Sequence, residues 1–153
     1  MGNRTSRSPS FVAHFAGSTA ITTGRVTMQR SSKGVISIAE VDNGGRYVTL
    51  ENTSTSRMKR LQNLKGWKIK RDFLETTSLP SFTFEYVINR DFTLDAQQNI
   101  KIWAKNFEKD PEIKGNDIVC TVSDWGQVNR NSLITLFDDN GVEKATLSVK
   151  VNL

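Results

Sequence analysis

Apolar residues at every second position, broken by glycine and asparagine turns, constrain this chain more than any other feature. In ISIAEVDNGGRYVTLENTS, residues 36–54, the run from Val35 through Ile36, Ile38 and Ala39 to Val41 reads as a strand. Asn43-Gly44-Gly45 then supplies the positive-φ positions of a tight hairpin turn. Beyond it Val48 and Leu50 share one face, and Tyr47, Thr49 and Glu51 the other. The hydroxyl-rich run Asn52 to Ser56 reads as a loop.

The same texture recurs to the end. In GWKIKR, Trp67 and Ile69 oppose Lys68 and Lys70, a half-buried strand with a large aromatic on its inner face. Phe82, Phe84, Tyr86 and Ile88 alternate with Thr83 and Glu85. Ile100, Ile102 and Ala104 alternate with Lys101, Trp103 and Lys105. Ile118, Cys120 and Val122 follow, then Leu133 to Phe137, the turn Asp138-Asp139-Asn140-Gly141, and Ala145, Leu147, Val149 and Val151. That makes about eight strands, spaced as in an antiparallel sandwich or barrel. The expected core includes Val48, Leu50, Trp67, Ile69 and Ile102, with Trp67 packed between two sheets. No window carries a helical stripe or a heptad pattern, and Pro9, Pro80 and Pro111 all fall in expected loops.

A chain of 153 residues suffices for one domain with its own core. Residues 34–153 read as that domain. Residues 1–33 lack periodicity and read as a mostly disordered basic linker, with Phe11, Val12 and Phe15 as its one apolar patch. The linker holds Arg4, Arg7, Arg25, Arg30 and Lys33 and no acid, which accounts for the whole net charge of +5. The rest carries 16 basic and 16 acidic groups (21 − 5 and 16 − 0) and is neutral. A neutral body is a poor nucleic-acid surface, because phosphate binding needs clustered cations. No apolar run reaches the ~20 residues of a membrane span.

The residues offer little to reactive chemistry. His14 is the single histidine and Cys120 the single cysteine, too few for a catalytic triad or a zinc site. No phosphate-binding or dinucleotide-binding glycine motif occurs. Glu108, Asp110, Glu112 and Asp117 form an acidic loop without EF-hand spacing, best read as solvated. Cys120 alternates with Ile118 and Val122 and reads as a buried thiol; the alternative is an exposed thiol that crosslinks two chains. The sequons at Asn3 and Asn52 read as unmodified unless the protein is secreted. No catalytic, cofactor-binding or metal-ligating set is expected. The densest charge feature is Arg57, Lys59, Arg60, Lys65, Lys68, Lys70 and Arg71. Of these, Arg57, Lys59, Arg60, Lys68 and Lys70 are the candidates for a basic partner-binding surface.

Four blocks together resemble a known family: GVISIAEVDNGGRYVTLENTS, LKGWKIKR, FTLDAQQNIKIWAKN, and WG…NSLITLFDDNGVE. They are similar, in order and spacing, to the lamin tail domain. This is the immunoglobulin-like module in the tails of nuclear lamins and of invertebrate cytoplasmic intermediate filament proteins. The resemblance runs from about residue 33 to 151. It implies an all-β, immunoglobulin-like antiparallel sandwich whose function is structural. Trp67, Trp103 and Trp125-Gly126 match the family's tryptophan positions. Gln127 to Arg130 is longer than the usual turn there, and Phe107 to Asn116 lacks the usual prolines.

Residues 1–33 carry no tight Lys/Arg run and the chain ends without a prenylation box, so the resemblance favours the cytoplasmic class, nematode proteins above all. The expected role is the globular tail of a filament protein whose coiled-coil rod lies outside this sequence. Its partners would be other filament chains and associated proteins, with weak self-association and no membrane contact. The alternative is a nuclear lamin tail that meets chromatin or nuclear-envelope proteins.

Overall fold

The computed structural model describes residues 17–23, 25–56 and 61–152. Two sheets face one another. The larger has six strands in the order β1 (Gly17–Thr23), β2 (Val26–Ser32), β12 (Glu143–Val151), β11 (Ser132–Phe137), β6 (Lys68–Phe73) and β7 (Phe82–Val87). The smaller runs β10 (Ile118–Val119), β9 (Asn99–Trp103), β4 (Tyr47–Asn52), β3 (Ile36–Val41). A short ladder of β5 (Gln62–Asn63) and β8 (Thr93–Leu94) bridges one side. The fold is the expected immunoglobulin-like β-sandwich, antiparallel except for the two-residue parallel pairing of β10 with β9.

Register lines up the apolar rows. Leu136 sits opposite Ile69 on one side and Ala145 on the other, and Ile134 opposite Leu147. In the facing sheet Val48 pairs with Ile102 and Leu50 with Ile100. These side chains are all buried, together with Ile36, Ile38, Ile118 and Val149. Each large aliphatic side chain so buried stabilises the fold by ~1.5–3 kcal/mol, the main term against chain entropy.

The sheet starts earlier than expected. Val26–Ser32 pairs with β12 along its whole length, and Gly17–Thr23 pairs with β2. Residues 17–32 therefore do not read as linker. The short alternating runs GSTAITT and VTMQRSS carry threonine, serine and glutamine where the core strands carry aliphatics, so the composition masked the periodicity. Met28 packs against the core, Arg30 pairs with Glu51 at 3.2 Å, and Lys33 lies 3.7 Å from Glu143. One of the five cations assigned to the basic arm, Arg30, is thus held by an acid of the body, and Lys33 lies near another at the surface. Phe11, Val12, His14 and Phe15 lie outside the described residues.

Tryptophan placement also differs. Trp67 precedes β6 at the end of the sheet and is only half-buried. The two enclosed tryptophans are Trp103 and Trp125. Trp103 projects from the outer face of β9 and is nevertheless covered. Tyr47 packs beside it at 4.8 Å between ring centroids, and its Nε1 donates to Asp117 at 3.0 Å. Trp125 donates its Nε1–H to the Ile102 carbonyl at 3.0 Å.

Candidate partner-binding surface

Strand β6 presents the lysines. Alternation sends Lys68, Lys70 and Asp72 outward and buries Ile69, Arg71 and Phe73. Lys68 Nζ lies 3.7 Å from Glu85 and 5.1 Å from the Phe137 ring centroid. Lys70 stands opposite Glu85 on β7 and Thr135 on β11. Asp72 accepts a 2.6 Å bond from the Thr83 hydroxyl. Partly exposed pairs of this kind contribute less than ~1 kcal/mol, so these lysines are free to exchange partners. Of the five expected surface cations, Lys68 and Lys70 share this face. Arg57, Lys59 and Arg60 lie outside the described residues.

Arg71 leaves the cluster altogether. It faces the core and is fully buried. Its Nη1 donates to the carbonyls of Trp125 (2.9 Å) and Gly126 (2.7 Å), while Nε and Nη2 donate to the Ser132 hydroxyl at 3.1 and 3.0 Å. The guanidinium lies 4.4 Å from the Phe73 ring centroid. Burial pulls its pKa down to about 10, opposed by the charge of Asp124. The signal was in the strand: Trp67, Ile69, Arg71 and Phe73 occupy one parity, which marks Arg71 as a core position despite its charge.

Arg71 thereby fastens the loop after Asp124, and that loop fastens the first hairpin. Trp125 N–H donates to the Gly45 carbonyl at 3.0 Å, and Val128 N–H to that of Asn43 at 3.2 Å. Gly45 has φ +76°, and a Cβ there would stand 2.8 Å from Gly126 backbone atoms. The segment Gln127 to Arg130, long for the resembled family, supplies a second inward arginine. Arg130 Nη2 donates to the carbonyls of Leu74 and Pro80, closing the β6–β7 connection.

The carboxylates are committed to local structure. Arg46 reaches Asp42 (2.9 Å), Asp110 (3.0 Å) and Glu112 (3.5 Å) and lies over the Tyr47 and Trp103 rings. Burial alone would raise the Asp42 pKa, but its bonds with Arg46 outweigh that and lower it. Asp117 accepts from the backbone N–H groups of Lys101 and Lys114 as well as from Trp103. Glu108 pairs with Lys105 at 2.7 Å. Among the described residues no group of three His, Cys, Asp or Glu side chains is placed to hold a metal ion. Cys120 is buried, and burial pushes its thiol up to about 11, so the crosslinking alternative is not supported by its position. Asn52 is enclosed too: its Nδ2 donates to Leu94 O at 2.9 Å and its Oδ1 accepts from Ser54 N–H, so the folded chain offers no acceptor nitrogen for a glycan.

An immunoglobulin-like sandwich whose polar groups pin loops and turns defines a structural class of module. Comparison with known proteins gives the family. The Lamin Tail Domain family model matches residues 29–150, and the chain belongs to that family. It is 30% identical over 127 residues to a "Non-neuronal cytoplasmic intermediate filament protein" of Cornu aspersum, covering 83% of this chain and 20% of the relative. It is 34% identical over 128 residues to "Intermediate filament protein A" of Ascaris suum, covering 82% and 23%. It is 31% identical over 121 residues to the "70 kDa neurofilament protein" of Doryteuthis pealeii, covering 79% and 17%. The chain spans about a fifth of the length of these relatives. As a lamin tail domain of the intermediate filament type it is a structural module and not an enzyme.

Proposed function

We propose that this domain is the globular tail of a cytoplasmic intermediate filament protein and mediates contacts with other filament chains or with associated proteins. The observation that carries this reading is the match of four-fifths of the chain to about one-fifth of each filament protein, one of them named cytoplasmic. The outward face of β6, with Lys68 and Lys70, is the surface for an acidic partner segment. The nuclear alternative has less support, because Arg30 of the basic arm is engaged by Glu51 and Ser37. Deleting residues 26–151 from the full-length filament chain tests the role. Altered bundling, lateral association or anchoring by electron microscopy and in cells is expected. Filaments and network indistinguishable from the parent would refute it. Within the intact domain, Lys68→Glu with Lys70→Glu should weaken partner capture at unchanged thermal stability; undiminished capture would remove β6 from the proposal.

A further inference from the structure

The sandwich has four strand edges, and three are guarded. Strand β3 has a register irregularity between Ile38 and Glu40 and carries that acid next to its last residue. β10 is two residues long. β7 carries Glu85, and symmetric pairing with another β7, which joins residues of like parity, would set Glu85 opposite or diagonal to its own copy. Such bulges, short edges and charges are the devices by which sheets avoid pairing with one another.

Strand β1 has none of them. GSTAITT holds no charge and no proline, and it pairs with β2 in unbroken register from Gly17 opposite Ser32 to Thr23 opposite Val26. Among the described residues it pairs with β2 alone. In an antiparallel ladder alternate residues direct their N–H and C=O groups to one neighbour, so the other half of this strand's backbone groups face away from β2. The family match begins at residue 29, so β1 lies outside the matched part.

We propose that β1 is a self-pairing edge, joining two copies of this chain antiparallel across a two-fold axis into one continuous sheet. The occupant follows from the sequence of the edge. The one antiparallel register that keeps the whole strand paired sets Gly17 opposite Thr23, Ser18 opposite Thr22, Thr19 opposite Ile21, and Ala20 opposite its own copy. That register brings no like charges together, and it is isologous and therefore closes as a dimer. Ala20, at the axis, is exposed. A single strand pair falls short of the ~1,200 Å² of a standard stable interface, so the dimer is a transient one. The inference needs only the isolated chain in solution and stands whether or not the filament-tail reading does.

Sedimentation equilibrium of the full chain from ~20 μM to ~1 mM tests it. The weight-average mass should climb from 17.2 kDa toward twice that value. Ala20→Lys places two ammonium groups together at the axis, and Ala20→Glu two carboxylates. Each variant alone should stay at 17.2 kDa, and an equimolar mixture should associate again, which unfolded variants could not do. Amide exchange within residues 17–23 should slow as concentration rises. A wild-type mass of 17.2 kDa throughout, association that survives in both single variants, a mixture that fails to associate, or protection gained at β7 instead would each overturn the proposal.

Discussion

Replacing Arg71 with lysine keeps the charge and removes the fork. The guanidinium bridges two segments at once: the Trp125 and Gly126 carbonyls on the loop, and the Ser132 hydroxyl at the start of β11. One ammonium group reaches one of these sets and leaves the other without a donor. Hydrogen bonds from a charged group contribute ~1.5–3 kcal/mol each, so losing two gives at least ~3 kcal/mol. The ammonium is also more strongly hydrated than the guanidinium, so burying it costs more. With a urea m-value of roughly 1.5 kcal/mol/M, the unfolding midpoint falls by ~2 M at constant m. Lys70→Ala, one residue away on the outer face, should stay within ~0.5 kcal/mol. Amide exchange at Trp125, whose N–H donates to Gly45 O, should accelerate with the lysine variant. If Arg71→Lys shifts the midpoint no more than Lys70→Ala does, charge alone suffices at this position and the bridging role is wrong.

Three further outcomes follow from local geometry. Gly45 and Gly141 both have positive φ, +76° and +80°, but an added Cβ meets Gly126 backbone at the first and open space at the second. Gly141→Ala should cost ~1 kcal/mol of backbone strain and Gly45→Ala more than ~3 kcal/mol, read from urea midpoints; equal losses would contradict the close approach. Cys120 should resist a disulfide reagent at pH 8 in the folded protein and react fully in urea, and rapid labelling of the folded protein would disprove its enclosure. Its thiol titrates at about 11 when folded against an ordinary 9.0, so the unfolded chain ionises first. Its contribution to stability is therefore complete below pH ~9 and is lost as pH rises through ~11, a loss that Cys120→Ala should lack.

Strand identity in the body of the domain was legible because its apolar residues repeat with period two. Val48, Leu50, Ile69 and Ile102 all lie in the core where parity put them. Trp67 was assigned to the centre by its size and its family position, but it stands at the sheet's end, just after Gly66 with φ +85°. Trp103 sits on the parity that should face water, where Tyr47, Arg46, Lys101 and Asp117 surround it. The first two strands were missed because threonine and serine fit strand and linker equally well. The basic cluster misled in one member. Proximity in sequence grouped Arg71 with Lys68 and Lys70, whereas the pleat of β6 separates it from them.

The directions of β1 and β12 bear on how the domain would respond to a pull on its two described ends. β1 begins beside Ser32, at the end of the ladder where Ala145 also sits, and β12 ends at Val151 beside Val26. The two described ends of the chain therefore leave from opposite ends of one β1–β2–β12 ladder. Tension between them pulls β1 and β12 lengthwise in opposite senses. The ladder bonds lie across that pull, are sheared together and do not open one at a time. A pull applied between residues 17 and 151 would thus be borne along the strands.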